Sequence, residues 1–346
     1  MSDHMSDHMS NHMSNHMSKK YELTDEVKGG LRRIRALKDI ECFGVRAGDL
    51  GGYVESEDNL SQDGNAWLHD DAWAFGNAKV YDNALLLGNA QAYGSAKVYG
   101  NARVYGNAQV SGHSQVYDNA SVTNNASVTD NASVFGDAQV SGDAWIHDSA
   151  QVFDNARVFN KALVSGKAMV FENASVFGAA IVYGDSIVCG CARVWGNAEV
   201  YDNALVTGNA VVCGDSSVYN YGSVLGNASV YGNAQVYGHA SVAGAAVVFG
   251  HAQVLSGASV HGYAKMSGDA CIKCDSDYCV FTHVGSKNGT LTVYKNQSGN
   301  LLATRGCFEG TLDDFEARVK QFSKTHIQEE YALLIAFARM RLGSAS

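Results

Sequence analysis

Histidine and cysteine are the side chains in this sequence whose types could do chemistry outright. Six histidines, His69, His113, His147, His239, His251 and His261, are spread through the middle of the 346-residue chain. An imidazole near neutral pH can take a proton from a nucleophile and hand it to a leaving group, but only where a neighbour orients the ring and a pocket encloses the substrate. His239 and His251 are the least remote candidates for such a base. The run Cys271-x2-Cys274-x4-Cys279, with Cys307 further on, starts as a zinc site starts. A closed zinc site needs four ligands, commonly in two close pairs, and no second C-x-x-C follows. Thiols at a structural junction explain the run without a metal, so neither a metal nor another cofactor is expected.

Whatever these groups do depends on the element that carries them, and that element is a repeat. From Ala66 to Ala270 a unit of six residues, small–x–aliphatic–x–turn–turn, recurs without insertion, as in Ala102-Arg-Val-Tyr-Gly-Asn107 and Ala228-Ser-Val-Tyr-Gly-Asn233. The small position is Ala throughout, except for Ser114, Ser186, Ser216 and Gly222. Two residues later stands Val in most copies, with Leu68, Leu86, Ile146, Ile272, Met266, Ala74 and Ala92 as variants. The first turn position is mostly Gly, Asp or Asn, which tolerate positive φ. Alternating small and aliphatic residues predict a short strand with one buried face, and the turn pair predicts a corner.

Three such sides close a triangular coil of 18 residues, so 35 hexads make between eleven and twelve coils. The total absence of proline fits strands paired on both sides, which cannot spare an amide donor. Hexapeptide periods are a signature of parallel β-helices. The stretch resembles the left-handed parallel β-helix of the hexapeptide-repeat acyltransferase superfamily, and the left hand is implied by that resemblance alone. Members of that superfamily carry a catalytic histidine near a subunit interface, often beside a loop that leaves the helix. Here no hexad is interrupted and the histidines lie on different edges, so acyl-CoA-dependent transfer by His239 or His251 stays the alternative reading.

The flanks read differently. Residues 1–18, MSDHMSDHMSNHMSNHMS, have no apolar periodicity and read as a disordered, tag-like segment; its four histidines with Met could hold a soft metal, but a tag or duplicated start explains it more simply. Residues 19–53 read as a cap, with the six-residue register running from Val54 to Cys274. Residues 48–67, GDLGGYVESEDNLSQDGNAW, resemble the opening of a group of phage and prophage β-solenoid proteins of unknown function, and residues 306–318, GCFEGTLDDFEAR, resemble their tail module. Residues 275–346 read as an α+β domain. Its expected strands are Tyr278 to Val284, Thr290 to Tyr294 and Leu301 to Phe308, the first two joined through Asn288-Gly289. Thr311 and Asp314 predict a helix start, Leu312, Phe315, Val319 and Phe322 one helical face, and Ile327 to Leu342 a second, largely covered helix.

Stacking every 18 residues turns outward positions into rows. The residue three after each small one predicts an aromatic row Tyr81, Tyr99, Tyr117, Phe135, Phe153, Phe171, a second row Tyr183, Tyr201, Tyr219, Tyr237, and a third, Phe159, Phe177, Trp195. Two readings stand side by side: rings that only stabilise the rod, or an exposed apolar stripe that marks an interface with a protein partner or a second copy. Asn83, Asn101 and Asn119, then Asn155 and Asn173 around Asp137, predict a structural corner ladder of amides. The face-centre rows are too mixed for a uniform ice-binding surface. A net charge of −10 with 17% charged residues argues against a nucleic-acid partner, which would call for a basic stripe. With no signal peptide or membrane span, the expected setting is the cytoplasm of a bacterial host, where eight cysteines stay mostly reduced.

Overall fold

The computed structural model describes residues 19–321 and 325–343; the tag-like segment 1–18 and Phe322 lie outside these. From Trp67 to Ile272 each hexad forms a short strand followed by a turn, and the strands sort by eighteen into three parallel sheets. Face one begins at Trp67 and holds 12 strands. Face two begins at Trp73 and is the longest, because the cap strands join it to make 15; face three begins at Lys79 and holds 11. Register is strict: Gln115 pairs with Ser133 and Val116 with Val134, while on face one Gln139 pairs with Arg157. Each coil donates upward to the next, as Gln115 N does to Ala132 O and Tyr117 N to Val134 O.

Inside, the Ala and Val columns are fully buried and form one continuous core along the rod. The interior is too narrow for a larger residue at the small position, and the exceptions show how a polar atom is accommodated. Ser114 Oγ donates to Ser111 O at 2.7 Å, and Ser216 Oγ to Cys213 O at 2.8 Å, so neither hydroxyl is orphaned. Gly222 replaces Ala where a Cβ would sit 2.5 Å from Val236 O. At the corners the first turn residue has positive φ throughout. Gly112, at φ +69, faces the Asp130 amide so closely that an added Cβ would lie 2.7 Å from its nitrogen. Where Asp takes the corner, its carboxylate accepts from the amide one coil on: Gly100 N to Asp82 at 3.2 Å, Gly136 N to Asp118 at 3.2 Å, Gly166 N to Asp148 at 3.0 Å.

A parallel stack ends in bare carbonyls at one end and bare amides at the other, and the two caps supply opposite chemistry. At the N-terminal end Lys20 Nζ donates to Ala66 O at 2.8 Å, and Tyr21 Oη to Leu60 O at 2.7 Å. Lys20 is fully buried, and desolvation pulls its ammonium down to about 8. At the C-terminal end acceptors face the last amides: Asp275 takes Ser259 N at 2.7 Å, Thr292 Oγ1 takes Lys265 N at 3.1 Å, and Tyr294 Oη takes Ser267 N at 3.1 Å. Both edges are thereby closed to other chains.

Three local expectations are corrected. Val54 and Leu60 do not keep the eighteen-residue spacing: Val54 pairs with Ala74 and Leu60 bridges to Val80, an offset of twenty. Val54 to Leu60 is still a step of six, but Leu60 to Leu68 is a step of eight, so the two extra residues lie in the loop between Leu60 and Leu68. The cap itself is a hairpin, Tyr21–Lys28 against Leu31–Ala36 through Gly29-Gly30, whose second strand pairs with Leu50–Val54. In the C-terminal sheet Asn288-Gly289 is not a two-residue turn, because Gly289 already pairs with Val284 and the loop spans 285–288. The run from Leu301 to Phe308 is two strands, Leu301–Arg305 and Phe308–Thr311, folded at Gly306 with φ +61. Helices α1 (Leu312–Val319) and α2 (Thr325–Gly343) pack Phe315, Tyr331 and Ile335 into a core of their own. Thr311 caps α1 through Asp314 N at 3.1 Å.

Candidate functional site

The first aromatic row is assembled as the eighteen-residue winding requires. Tyr81, Tyr99, Tyr117, Phe135, Phe153 and Phe171 stack along face three with successive centroids 4.8–4.9 Å apart and planes within 4° of parallel. That spacing is the strand repeat itself, so the backbone sets the contact and each pair adds about 0.5–1.5 kcal/mol. The rings are half-buried, and Tyr99 leans over its own face, its Oη donating to Gln115 Oε1 at 3.2 Å. Burial raises the phenols of Tyr81, Tyr99 and Tyr117 above the usual tyrosine value. The row ends at Cys189, whose thiol donates to Thr207 Oγ1 at 3.1 Å.

The second row, Tyr183, Tyr201, Tyr219 and Tyr237, lies on face two with centroids 4.8–4.9 Å apart. Tyr201 is pushed up to about 12, first by burial and then by its neighbours Tyr183 and Tyr219. The third row stacks on face one, Phe159 to Phe177 at 4.8 Å and Phe177 to Trp195 at 5.9 Å.

The amide ladder starts one coil earlier than Asn83. Asn65 donates to Asn83, Asn83 to Asn101, Asn101 to Asn119, and Asn119 to Asp137. A carboxylate accepts but has no N–H to pass on, so the ladder stops at Asp137. A second ladder that the sequence reading missed, Asn89 to Asn107 to Asn125, stops in the same way at Asp143. Its signal was present: Asn recurs every eighteen residues on that corner too.

The histidines are not brought together. His239 lies exposed at the corner before face three, its ring stacked on Tyr221 at 4.8 Å, and His251 lies exposed at the corner before face two. Two grooves lie elsewhere. One, of about 870 Å³, lies on face one beneath Cys42 and Phe43, between the Asn65–Asn119 ladder and Tyr105. The other, of about 450 Å³, lies at the far end among His261, Tyr263, Phe281 and Phe337. All eight cysteines are free thiols; Cys271 is half-buried, Cys274 and Cys307 are exposed, and Cys279 is buried, with its thiol raised by that burial. Among the described residues, Asp130, His147 and Asp148 do place one ligand atom each within 4.8 Å of the others. Their atoms are already engaged: Asp148 accepts from Gly166 N, Asp130 from Thr129 Oγ1 at 3.1 Å, and His147 Nδ1 lies 3.2 Å from Asp148. No helix among the described residues is long and apolar enough to cross a membrane.

This geometry defines a parallel β-solenoid whose outward rows, rather than a pocket, carry its distinguishing side chains. Residues 96–112, 150–166 and 198–214, each about one winding, match the YdcK beta solenoid repeat. No curated protein matches the chain.

Proposed function

We propose that this chain is a non-enzymatic β-solenoid of phage or prophage origin, a rigid rod that acts in the bacterial cytoplasm through protein contacts. The first aromatic ladder, Tyr81 to Phe171, provides the lateral contact surface, and the C-terminal domain provides a second contact point. The observation that carries the reading is the ladder itself. Six rings in six successive coils present a flat, preorganised surface whose side chains have little rotamer freedom left to lose on binding. Aromatic residues held in this way are the usual anchors of protein interfaces. Phage origin is supported by the resemblance of residues 48–67 and 306–318. His239 and His251 have no part in this reading, since neither sits in an enclosed pocket with an orienting partner.

Replacing Tyr117 and Phe135 together by Ser removes the middle of the ladder while leaving the inward Ala and Val columns untouched. Light scattering of the purified chain is expected to show a shift from a self-associated form toward the 36.8 kDa single chain. A self-associated mass left unchanged by the double substitution would remove the ladder from the contact surface.

A further inference from the structure

We propose that face three pairs with face three of a second copy of this chain, the two rods running antiparallel about the level of Ile187. This inference rests on the ladder reading above and names its partner. Along face three the outward strand position holds Lys79 and Lys97, then only Gln or Ser, until three successive coils hold Met169, Ile187 and Leu205; Ser resumes at Ser223. These three side chains point out of the sheet and are only half-buried. An outward aliphatic trio in the middle of an otherwise polar row gains nothing from the rod's own core.

A reversed copy fits on three separate counts. With Ile187 facing itself, Met169 meets Leu205, and the apolar trio covers itself. In the adjoining column the six rings fill one half of the rod, and Cys189, Thr207, Leu225, Ala243 and His261 fill the other. Reversal sets Phe171 against Thr207, Phe153 against Leu225 and Phe135 against Ala243, each ring against a smaller side chain, and Tyr117 against the His261 imidazole. Finally, Lys97 comes opposite Asp275, which occupies the place of a strand just beyond Ser259 and is exposed. A parallel pairing would instead set Lys97 against Lys97. The size is also right: 11 strands, about 4.8 Å apart and about 16 Å wide, make a face of about 800 Å², one side of a standard-size interface. A second copy also repeats at the same pitch, so contacts formed in one coil recur in the next.

The test is sedimentation equilibrium of the full chain at micromolar concentration. The wild-type chain is expected at twice 36.8 kDa. Ile187→Lys is expected to run as a single chain, and Val211→Lys, an equivalent change on face one, to remain paired. Lys97→Glu is expected to weaken pairing by about two- to fivefold, and Lys97→Glu with Asp275→Lys to restore it. Should Ile187→Lys lose the circular dichroism of the rod, Leu205→Lys and the charge swap decide instead. A wild-type chain that sediments singly, a dimer indifferent to Ile187 and Leu205, or a charge swap that fails to restore pairing would overturn the proposal. A single-chain rod that still needs Tyr117 and Phe135 to hold a different protein would overturn the pairing alone and leave the ladder reading standing.

Discussion

Val158→Asp is expected to destabilise the rod by about 3–5 kcal/mol, whereas Arg157→Asp, one residue away, should change stability by no more than about 0.5 kcal/mol. Val158 is fully buried and stacked between Val140 and Val176; Arg157 points outward and is exposed. A carboxylate at 158 would enter a column of methyl groups between Val140 and Val176 and lose its hydration there. Because a solenoid couples mainly neighbouring coils, the loss should appear as local opening before global melting. Chemical denaturation followed by circular dichroism, with limited proteolysis to locate the opening, separates the two variants. Equal behaviour at 157 and 158 would contradict the alternation of inward and outward residues.

Raising the pH should remove stability steeply above about pH 10, after a slight rise between about pH 8 and 10. Burial raises Tyr81, Tyr99, Tyr117, Tyr183, Tyr219 and Tyr237 above the free value of 10.0, and Tyr201 to about 12. Each phenol is an acid whose folded value exceeds its unfolded one. The unfolded chain therefore loses these protons first, and stability that is complete below pH 10 falls as pH rises toward 12. Lys20 acts with the opposite sign. Its folded value is about 8 against 10.5 unfolded, so between those values the unfolded chain holds the extra proton and this one group adds stability as pH rises. Seven ladder tyrosines outweigh one lysine only above pH 10, so the melting temperature should rise slightly from pH 8 to 9.5 and then decline sharply. Replacing Tyr183, Tyr201, Tyr219 and Tyr237 by Phe should make that decline shallower. A melting temperature unchanged through pH 11 would contradict buried, coupled phenols.

The rows were readable in advance because the hexad leaves the backbone no slack. Once Ala and Val are assigned inward, Tyr81 and Tyr99 can only lie one strand spacing apart, and every ladder follows by counting. Counting fails where the period is broken by something other than side-chain pattern. The two extra residues of the first coil sit between Leu60 and Leu68, in a loop that carries no periodic signal. In the C-terminal sheet, Arg305-Gly306-Cys307 looked like the continuation of one strand, and only the left-handed φ of Gly306 turns it back. How far each ring would be covered was also hidden, since that depends on the lean of the side chain: Tyr99 lies against Gln115 rather than standing free. Met169, Ile187 and Leu205 were lost among mixed rows, because hydropathy at a single outward position means little until three such positions are seen to be stacked.

The most direct measurement is a pair of cysteine substitutions on outward sites. Gln139→Cys with Arg157→Cys places two thiols on paired strands of face one, where neighbouring Cα atoms about 4.8 Å apart lie within disulfide range. Gln139→Cys with Gln151→Cys places them twelve residues apart on different faces. On mild oxidation, with native thiols assigned by peptide mass, the first pair is expected to close and the second to stay reduced. Closure of the twelve-residue pair, or of neither, would contradict the eighteen-residue winding on which every surface described for this rod depends.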